Sequence, residues 1–202
     1  MTTVADGAVD RWAGGVCPFE MGWRKLMMWI FIITDGLLFA GLLAASGYGR
    51  TMASVWPEQS GVFSIPFIAA MTFVLISSSA TMASAVAAAH AGKTADVTRF
   101  VGLTIVGGLV FLGMQAYEWT HIIGEGATLT SNPWGDPLFG AYFFMITGFH
   151  GSHVLTGLIV LVSLLVRWTK GLSTSEGVEL AGLYWHFVDL VWVFVFTCFY
   201  LI

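Results

Sequence analysis

Apolar residues along this chain are grouped into five long runs, separated by short polar stretches. A helix needs about 20 consecutive, mostly apolar residues to cross the hydrocarbon core of a bilayer. Five runs reach that length, at roughly 23–47, 62–89, 97–120, 138–168 and 182–202. The pattern therefore predicts an all-α integral membrane protein, a bundle of five transmembrane helices.

The stretch before the first run has a different character. Residues 1–22 contain Asp6, Asp10, Arg11 and Glu20 but no apolar run, which is unlike a signal peptide. No internal repeat divides the remainder of the chain. We therefore expect an N-terminal arm at 1–22 and one five-helix transmembrane domain at 23–202.

The distribution of positive charge predicts the orientation of the bundle. Of the eight Lys and Arg residues, seven lie in or beside the N-terminal arm and the second and fourth loops, and only Arg50 lies on the opposite side. Loops rich in Lys and Arg stay on the cytoplasmic side. The third loop, HIIGEGATLTSNPWGDP, has neither residue. The N-terminus is predicted to be cytoplasmic and the C-terminus to lie outside.

Composition agrees with a membrane protein and excludes some functions. The chain is 57% hydrophobic and only 10% charged, whereas soluble domains are about 25% charged. Its formal net charge is −4, and no basic patch suggests a nucleic-acid partner.

Small and aromatic residues predict packing and membrane-interface positions. The second span contains SSSATMASAVAAAHA, and the third contains Gly102, Gly107, Gly108 and Gly113. Small residues allow close approach of helices in a membrane. Tryptophan and tyrosine concentrate at the two membrane surfaces. Candidates for such a belt are Trp23, Trp29, Trp119, Trp134, Trp168 and Tyr200.

Six ionisable side chains fall inside the predicted spans: Asp35, Glu118, His150, His153, His186 and Asp189. An acid at mid-bilayer costs on the order of 3 kcal/mol on insertion scales, so such groups usually face the bundle interior and have a partner. A rise of about 1.5 Å per residue lets Asp35 share one layer with the polar residues of the fourth and fifth spans. Glu118, near Gln115 and His121, is predicted to lie in a separate outer layer.

These residues fit more than one kind of site. The spacings His-x-x-His and His-x-x-Asp place possible ligands on one face of a helix, and facing helices can then form a metal or haem site. A hydrogen-bonded network that joins helices or holds lipid headgroups explains the same spacing. The spacing alone favours this second interpretation. For Asp35, a hydrogen-bonded carboxyl and a proton-exchanging group both stay open.

Three stretches together carry a family resemblance: FLGMQAYEW (111–119), GFHGSHVLTG (148–157) and YWHFVDLVW (184–192). Their order and spacing resemble subunit III of the haem–copper terminal oxidases, as in cytochrome c oxidase. FIITDGLLFAG (31–41) falls where that family has its first polar helix. The resemblance covers about residues 23–202 and points to the five-helix form of the subunit.

The resemblance implies a fold, partners and roles. Subunit III is an all-helical accessory subunit beside the catalytic subunit I, in a complex that also contains subunit II. Haem and copper are held by partner subunits, where oxygen is reduced to water with proton pumping, and none is expected on this chain. Subunit III is implied to support proton uptake, bind phospholipid and stabilise the complex, in the bacterial cytoplasmic membrane.

The same resemblance carries roles to individual residues. Glu118, His150, His153, His186 and Asp189 match buried polar residues with roles in packing and lipid contact. Asp35 stands where many cytochrome oxidases have a reactive Glu, and some quinol oxidases have Asp there. The third loop is more similar to the cytochrome c oxidase forms. The electron donor and membership of a larger respiratory supercomplex are therefore left open.

Other functions compete with an accessory subunit of a cytochrome c oxidase. The first alternatives keep the fold and change the partner, to a quinol oxidase or a nitric oxide reductase. A third is a self-standing haem or metal enzyme that uses the histidine pairs. A solute or proton transporter would require an inverted repeat or broken helices, and the sequence contains neither.

Overall fold

A computed structural model describes residues 22–202, so the predicted arm at 1–22 lies outside the described residues except for Gly22. This part of the chain is helical, with short connections. Its helices are α1 (Trp23–Met52), α2 (Gln59–Val62), α3 (Ile65–His90), α4 (Thr94–Gly124), α5 (Pro137–Thr169) and α6 (Ser175–Val195). The last helix continues in π-helical turns over Phe196–Leu201. Within residues 22–202, five helices are long and apolar enough to cross a membrane. The prediction of an all-helical five-span bundle is confirmed.

Helix boundaries differ from the predicted ones where polar residues interrupt the apolar runs. The last helix begins at Ser175 rather than 182, because Thr174 caps it by accepting a hydrogen bond from the Gly177 amide at 3.4 Å. Because Glu176 and Glu179 are charged, hydrophobicity alone does not indicate these first turns. The first helix likewise continues past 47 to Met52.

Helix α6 occupies the middle of the bundle. It packs against α1, α3 and α5, while α3 also packs extensively along α4 and α4 packs along α5. The α1 helix contacts only α5 and the two parts of the last span to any extent. Its outward side exposes Met27, Ile33 and Leu37. Such a face suits lipid or another membrane subunit.

Two of the four glycines predicted to allow close packing of the third span do so, whereas nothing lies within 4 Å of a Cβ at Gly102 or Gly113. A Cβ at Gly107 would stand 2.7 Å from the Ser78 Cβ of α3, and one at Gly108 would stand 2.6 Å from the Trp185 ring of α6. Cβ atoms essentially never approach other atoms so closely. The two glycines therefore allow α4 to pack against both neighbours.

Two ends of the bundle differ in charge. The basic end carries the α3–α4 and α5–α6 turns and holds Arg24, Lys25, Lys93, Arg99, Arg167 and Lys170, together with Asp96, Glu176 and Glu179. The acidic end carries the α1–α3 and α4–α5 connections and holds Glu58, Glu125, Asp136 and Arg50. That the basic end faces the cytoplasm stays a prediction.

Candidate functional site

Asp35 of α1 faces His153 of α5. The Asp35 Oδ2 lies 3.3 Å from His153 Nε2, within ion-pair distance but without the geometry of a hydrogen bond. Asp35 is buried among the helices, and His153 is half-buried. The predicted layer shared by the first and fourth spans therefore exists as one acid–imidazole pair.

A contact within α5 sets the orientation of the His153 ring. The His153 ring places Nδ1 2.8 Å from the carbonyl oxygen of Phe149, and a carbonyl can only accept, so Nδ1 carries a hydrogen and donates it. In a neutral imidazole, Nε2 is then an acceptor. The ring nitrogen that faces Asp35 is therefore Nε2, at 3.3 Å from Oδ2. A proton-exchanging role for Asp35 stays a prediction.

His150 lies one helical turn away from His153 in different surroundings. It is fully buried, and neither ring nitrogen has a hydrogen-bond partner within residues 22–202. Its ring centroid lies 4.9 Å from that of Trp192 and 5.7 Å from that of Phe111. His150 packs among aromatic rings, whereas His153 faces a carboxylate, so the two do not act as a ligand pair.

His186 and Asp189 have their partner on α3. The Ser79 hydroxyl lies 2.6 Å from His186 Nδ1, and the same hydroxyl is next to Asp189. A hydroxyl can donate once and still accept, so Ser79 can join both side chains. The sequence placed this pair in one layer with Asp35 and the histidines of the fourth span, and that shared layer stays a prediction. Ser79 is part of the small-residue run of the second span, which indicated only close helix packing.

Glu118 forms its own site near the acidic end, in the separate outer layer that the sequence predicted. Its Oε2 accepts a hydrogen bond of 3.1 Å from the hydroxyl of Tyr200, which is 0% exposed. The interpretation of Tyr200 as a membrane-interface residue is therefore wrong. Gln115, one turn earlier, donates to the carbonyl oxygen of Thr147 at 2.6 Å and joins α4 to α5. His121 instead lies 3.8 Å from Glu125.

A groove opens at the basic end between α1, α5 and α6. It has a volume of about 470 Å³ and two arginines in its lining, Arg24 and Arg167. Ser173 and Thr174, at the start of α6, also line it. The remaining walls are mostly apolar and include Met28, Ile159, Val160, Leu164, Leu172 and Leu180. In the sequence these arginines indicate only the orientation of the bundle. Whether they line the same groove depends on how the helices pack.

Metal-ligand geometry is not found in this bundle. Among residues 22–202, no three His, Cys, Asp or Glu side chains are grouped so that they could hold a metal ion. That the chain carries no cofactor stays a prediction.

Comparison with known proteins shows the family to which this chain belongs. The family model described as "Cytochrome c oxidase subunit III" matches residues 17–202. The chain belongs to the cytochrome c oxidase subunit III family. A cytochrome c oxidase subunit 3 from Corynebacterium diphtheriae is 36% identical over 182 residues, covering 86% of this chain and 85% of that protein.

Relatives with a different electron donor are similarly close. Subunit 3 of the cytochrome bo(3) ubiquinol oxidase of Pseudomonas aeruginosa is 32% identical, covering 86% of this chain and 82% of that protein. A probable quinol oxidase subunit 3 from Staphylococcus saprophyticus is 34% identical, covering 89% of each chain. Family membership therefore makes this chain an accessory subunit of a haem–copper oxidase, and both donor types occur among its relatives.

Proposed function

We propose that this chain is the subunit that packs beside catalytic subunit I of a proton-pumping cytochrome c oxidase in the bacterial cytoplasmic membrane. The match to the subunit III family over residues 17–202 carries the proposal. Reduction of oxygen then takes place on haem and copper in partner subunits, and the chain itself is non-catalytic. Subunit II and a larger respiratory assembly are further partners in this proposal.

The electron donor is proposed to be cytochrome c, with quinol as the alternative. The cytochrome c oxidase subunit of C. diphtheriae is the relative at 36% identity, and its aligned region spans 85% of that protein. Two observations favour the alternative: quinol oxidase subunits match over equal shares of the chain, and Asp35 stands where some quinol oxidases have Asp. The donor is set by the other subunits of the complex.

The basic end is proposed to lie on the cytoplasmic side, with residues 1–22 as an arm there. A phospholipid phosphate then binds in the groove of the basic end, between Arg24 and Arg167. Two guanidinium groups match a phosphate because they present several N–H donors in a planar fork. The apolar walls of the 470 Å³ groove accommodate acyl-chain carbon. This site lies at headgroup depth, where anionic lipids concentrate.

Asp35 is proposed to support proton uptake by the catalytic subunit, because its buried carboxyl lies 3.3 Å from Nε2 of His153, a type of side chain that commonly relays protons. Replacing Asp35 with Asn keeps the size and removes the exchangeable charge. Proton-uptake rate at unchanged subunit content separates this role from packing. Asp35→Glu is the matched variant, since it restores a carboxyl on a side chain one methylene longer.

Purification through a tag on this chain tests the whole proposal. Co-purification of a haem- and copper-containing oxidase, with subunits identified by mass spectrometry, is the expected result. A cytochrome c site in the recovered subunit II indicates the cytochrome donor, and its absence with quinol-dependent oxygen uptake indicates the alternative. Recovery of the chain alone, carrying its own haem or metal, contradicts the proposal.

A further inference from the structure

A second cavity lies at the acidic end, opposite the groove of the basic end. Its volume is about 190 Å³, and it lies between the start of α3 and the last turns of α4. Phe63 and Ile68 in its wall are buried, whereas Ser64 and Tyr117 are exposed. The cavity therefore extends from the protein interior to the surface.

Glu118 is one of the residues that line this cavity. The side chain is only 6% exposed, and Tyr200 donates to its Oε2. Its Oε1 is buried and has no hydrogen-bond partner among residues 22–202. An unpaired carboxylate oxygen at this depth costs free energy unless a cation or hydrogen-bond donor comes close to it.

Aromatic rings form much of the remaining wall. Phe63, Phe67 and Tyr117 line the cavity, and the ring centroids of Phe67 and Tyr117 lie 5.5 Å apart. Ring faces attract organic cations through their quadrupole. Hard metal ions such as calcium instead take six to eight oxygen ligands. One carboxylate among rings thus matches an organic ammonium better than a metal ion.

Charge and depth agree with this choice. The cavity lining contains no Lys or Arg, and Glu58, Glu125 and Asp136 outnumber Arg50 at this end of the described chain. His121 also lines the cavity, and Glu125 lies 3.8 Å from its ring. Glu118 lies six residues before the end of the 31-residue helix α4. It is therefore about 9 Å from that end, near the boundary of a hydrocarbon core about 30 Å thick.

We propose that this cavity binds an organic ammonium group at Glu118, supplied by the headgroup of an ethanolamine phospholipid or by a free amine. The Glu118 carboxylate accepts from the ammonium, and Phe63, Phe67 and Tyr117 surround it. This site differs from the groove of the basic end, where arginines face a phosphate. The proposal rests on the cavity and the residues that line it. It does not depend on which electron donor the oxidase uses.

The test uses the intact complex purified through this chain, stripped of lipid by detergent exchange. Native mass spectrometry follows its titration with phosphatidylethanolamine, and phosphatidylglycerol serves as the probe that has a phosphate but no ammonium. A separate titration with ethanolamine, read by thermal shift, tests a free amine. Glu118→Gln keeps the shape and removes the charge. Glu125→Gln is the matched control, because its side chain is 43% exposed and lies outside the cavity lining.

The expected result is that Glu118→Gln weakens phosphatidylethanolamine binding about tenfold or more, the effect of losing a hydrogen bond between charged groups. Glu125→Gln and phosphatidylglycerol binding stay unchanged. If only ethanolamine responds to Glu118→Gln, the ammonium comes from a free amine. Equal binding of both probes by wild type and Glu118→Gln overturns the proposal and leaves water as the partner of Oε1.

A second variant keeps the proposal testable if Glu118→Gln fails to assemble. Tyr117→Leu removes an exposed ring and leaves the buried bond between Glu118 and Tyr200 in place. It should weaken ammonium binding roughly threefold, the size expected for one cation–π contact at an exposed site. Unchanged affinity in Tyr117→Leu, together with unchanged affinity in a folded Phe67→Leu, contradicts an aromatic ammonium site.

Discussion

The two ends of the bundle hold their charged residues in opposite ways. At the acidic end, Glu118 is 6% exposed, so its carboxyl group is buried. Tyr200 donates a hydrogen bond to one of its oxygens. At the basic end, Arg24 and Arg167 stand on the rim of an open groove. A change of charge should therefore cost more stability at the acidic end than at the basic end.

The largest effect is expected from reversing charge at the buried position. Glu118→Lys places an ammonium beside the Tyr200 hydroxyl without an acidic partner, which costs about 3–5 kcal/mol in the free energy of unfolding. Arg167→Glu, the matched reversal on the groove rim, should cost less than about 1 kcal/mol, because water and headgroups solvate it. Thermal unfolding of the two variants measures the difference. Equal losses of stability would contradict the contrast between the two ends.

Removing only the donor to Glu118 should have an intermediate effect. Tyr200→Phe leaves the buried carboxylate without its hydrogen bond, at a cost of roughly 1.5–3 kcal/mol, since bonds to charged groups lie in that range. Combining it with Glu118→Gln in a double-mutant cycle isolates the coupling between the two side chains. Tyr117→Phe, on the exposed face of the same helix as Glu118, is the control and should leave the unfolding midpoint unchanged. A coupling free energy near zero would show that the hydrogen bond between Tyr200 and Glu118 does not stabilise the protein.

Neutralising the groove arginines should reduce lipid affinity more than stability. Each basic side chain near an anionic membrane surface contributes about 1 kcal/mol, so Arg24→Gln and Arg167→Gln should each weaken anionic-lipid binding about fivefold. Raising the salt concentration should reduce the difference from wild type, because exposed charges are screened. Lipid retention by native mass spectrometry measures both effects. Lys170→Gln, which lies outside the groove lining, provides the control.

The smallest effect is expected from the ion pair of the basic end. Lys25 Nζ lies 2.6 Å from Glu179 Oε1, and both side chains are about one-third exposed or less. Exposed pairs of this kind contribute about 0.2–1 kcal/mol. Lys25→Met should accordingly lower the unfolding midpoint by at most a few degrees. A loss as large as that of Tyr200→Phe would mean that partial exposure does not weaken charge interactions here.

Much of the architecture followed from local pattern. Each long apolar run became a helix because backbone groups in hydrocarbon must be hydrogen-bonded within the segment. Gly107 and Gly108 were rightly predicted to allow close packing. Helix ends were less predictable, since Glu176 and Glu179 at the start of α6 mask a helix that continues beyond the apolar core.

Partners within the site were harder to predict than its members. The sequence identified Asp35 and His153 as buried polar groups that share a layer, and the two meet. It also assigned His186 to that layer, and the structure shows that His186 faces Ser79 of α3. Depth along a helix can be counted from the sequence, whereas the direction in which a side chain faces depends on the rotation of each helix against its neighbours.

The sequence by itself determined the five spans, the asymmetry of charge between the ends and the identity of the ionisable residues inside the membrane. Those properties depend on composition and on distance along the chain. Only the tertiary structure decided that Tyr200 reaches Glu118, that Arg24 and Arg167 border one groove, and that His150 is enclosed by rings. Residues between about 40 and 140 positions apart meet there, because helix rotation and packing are set by the whole bundle.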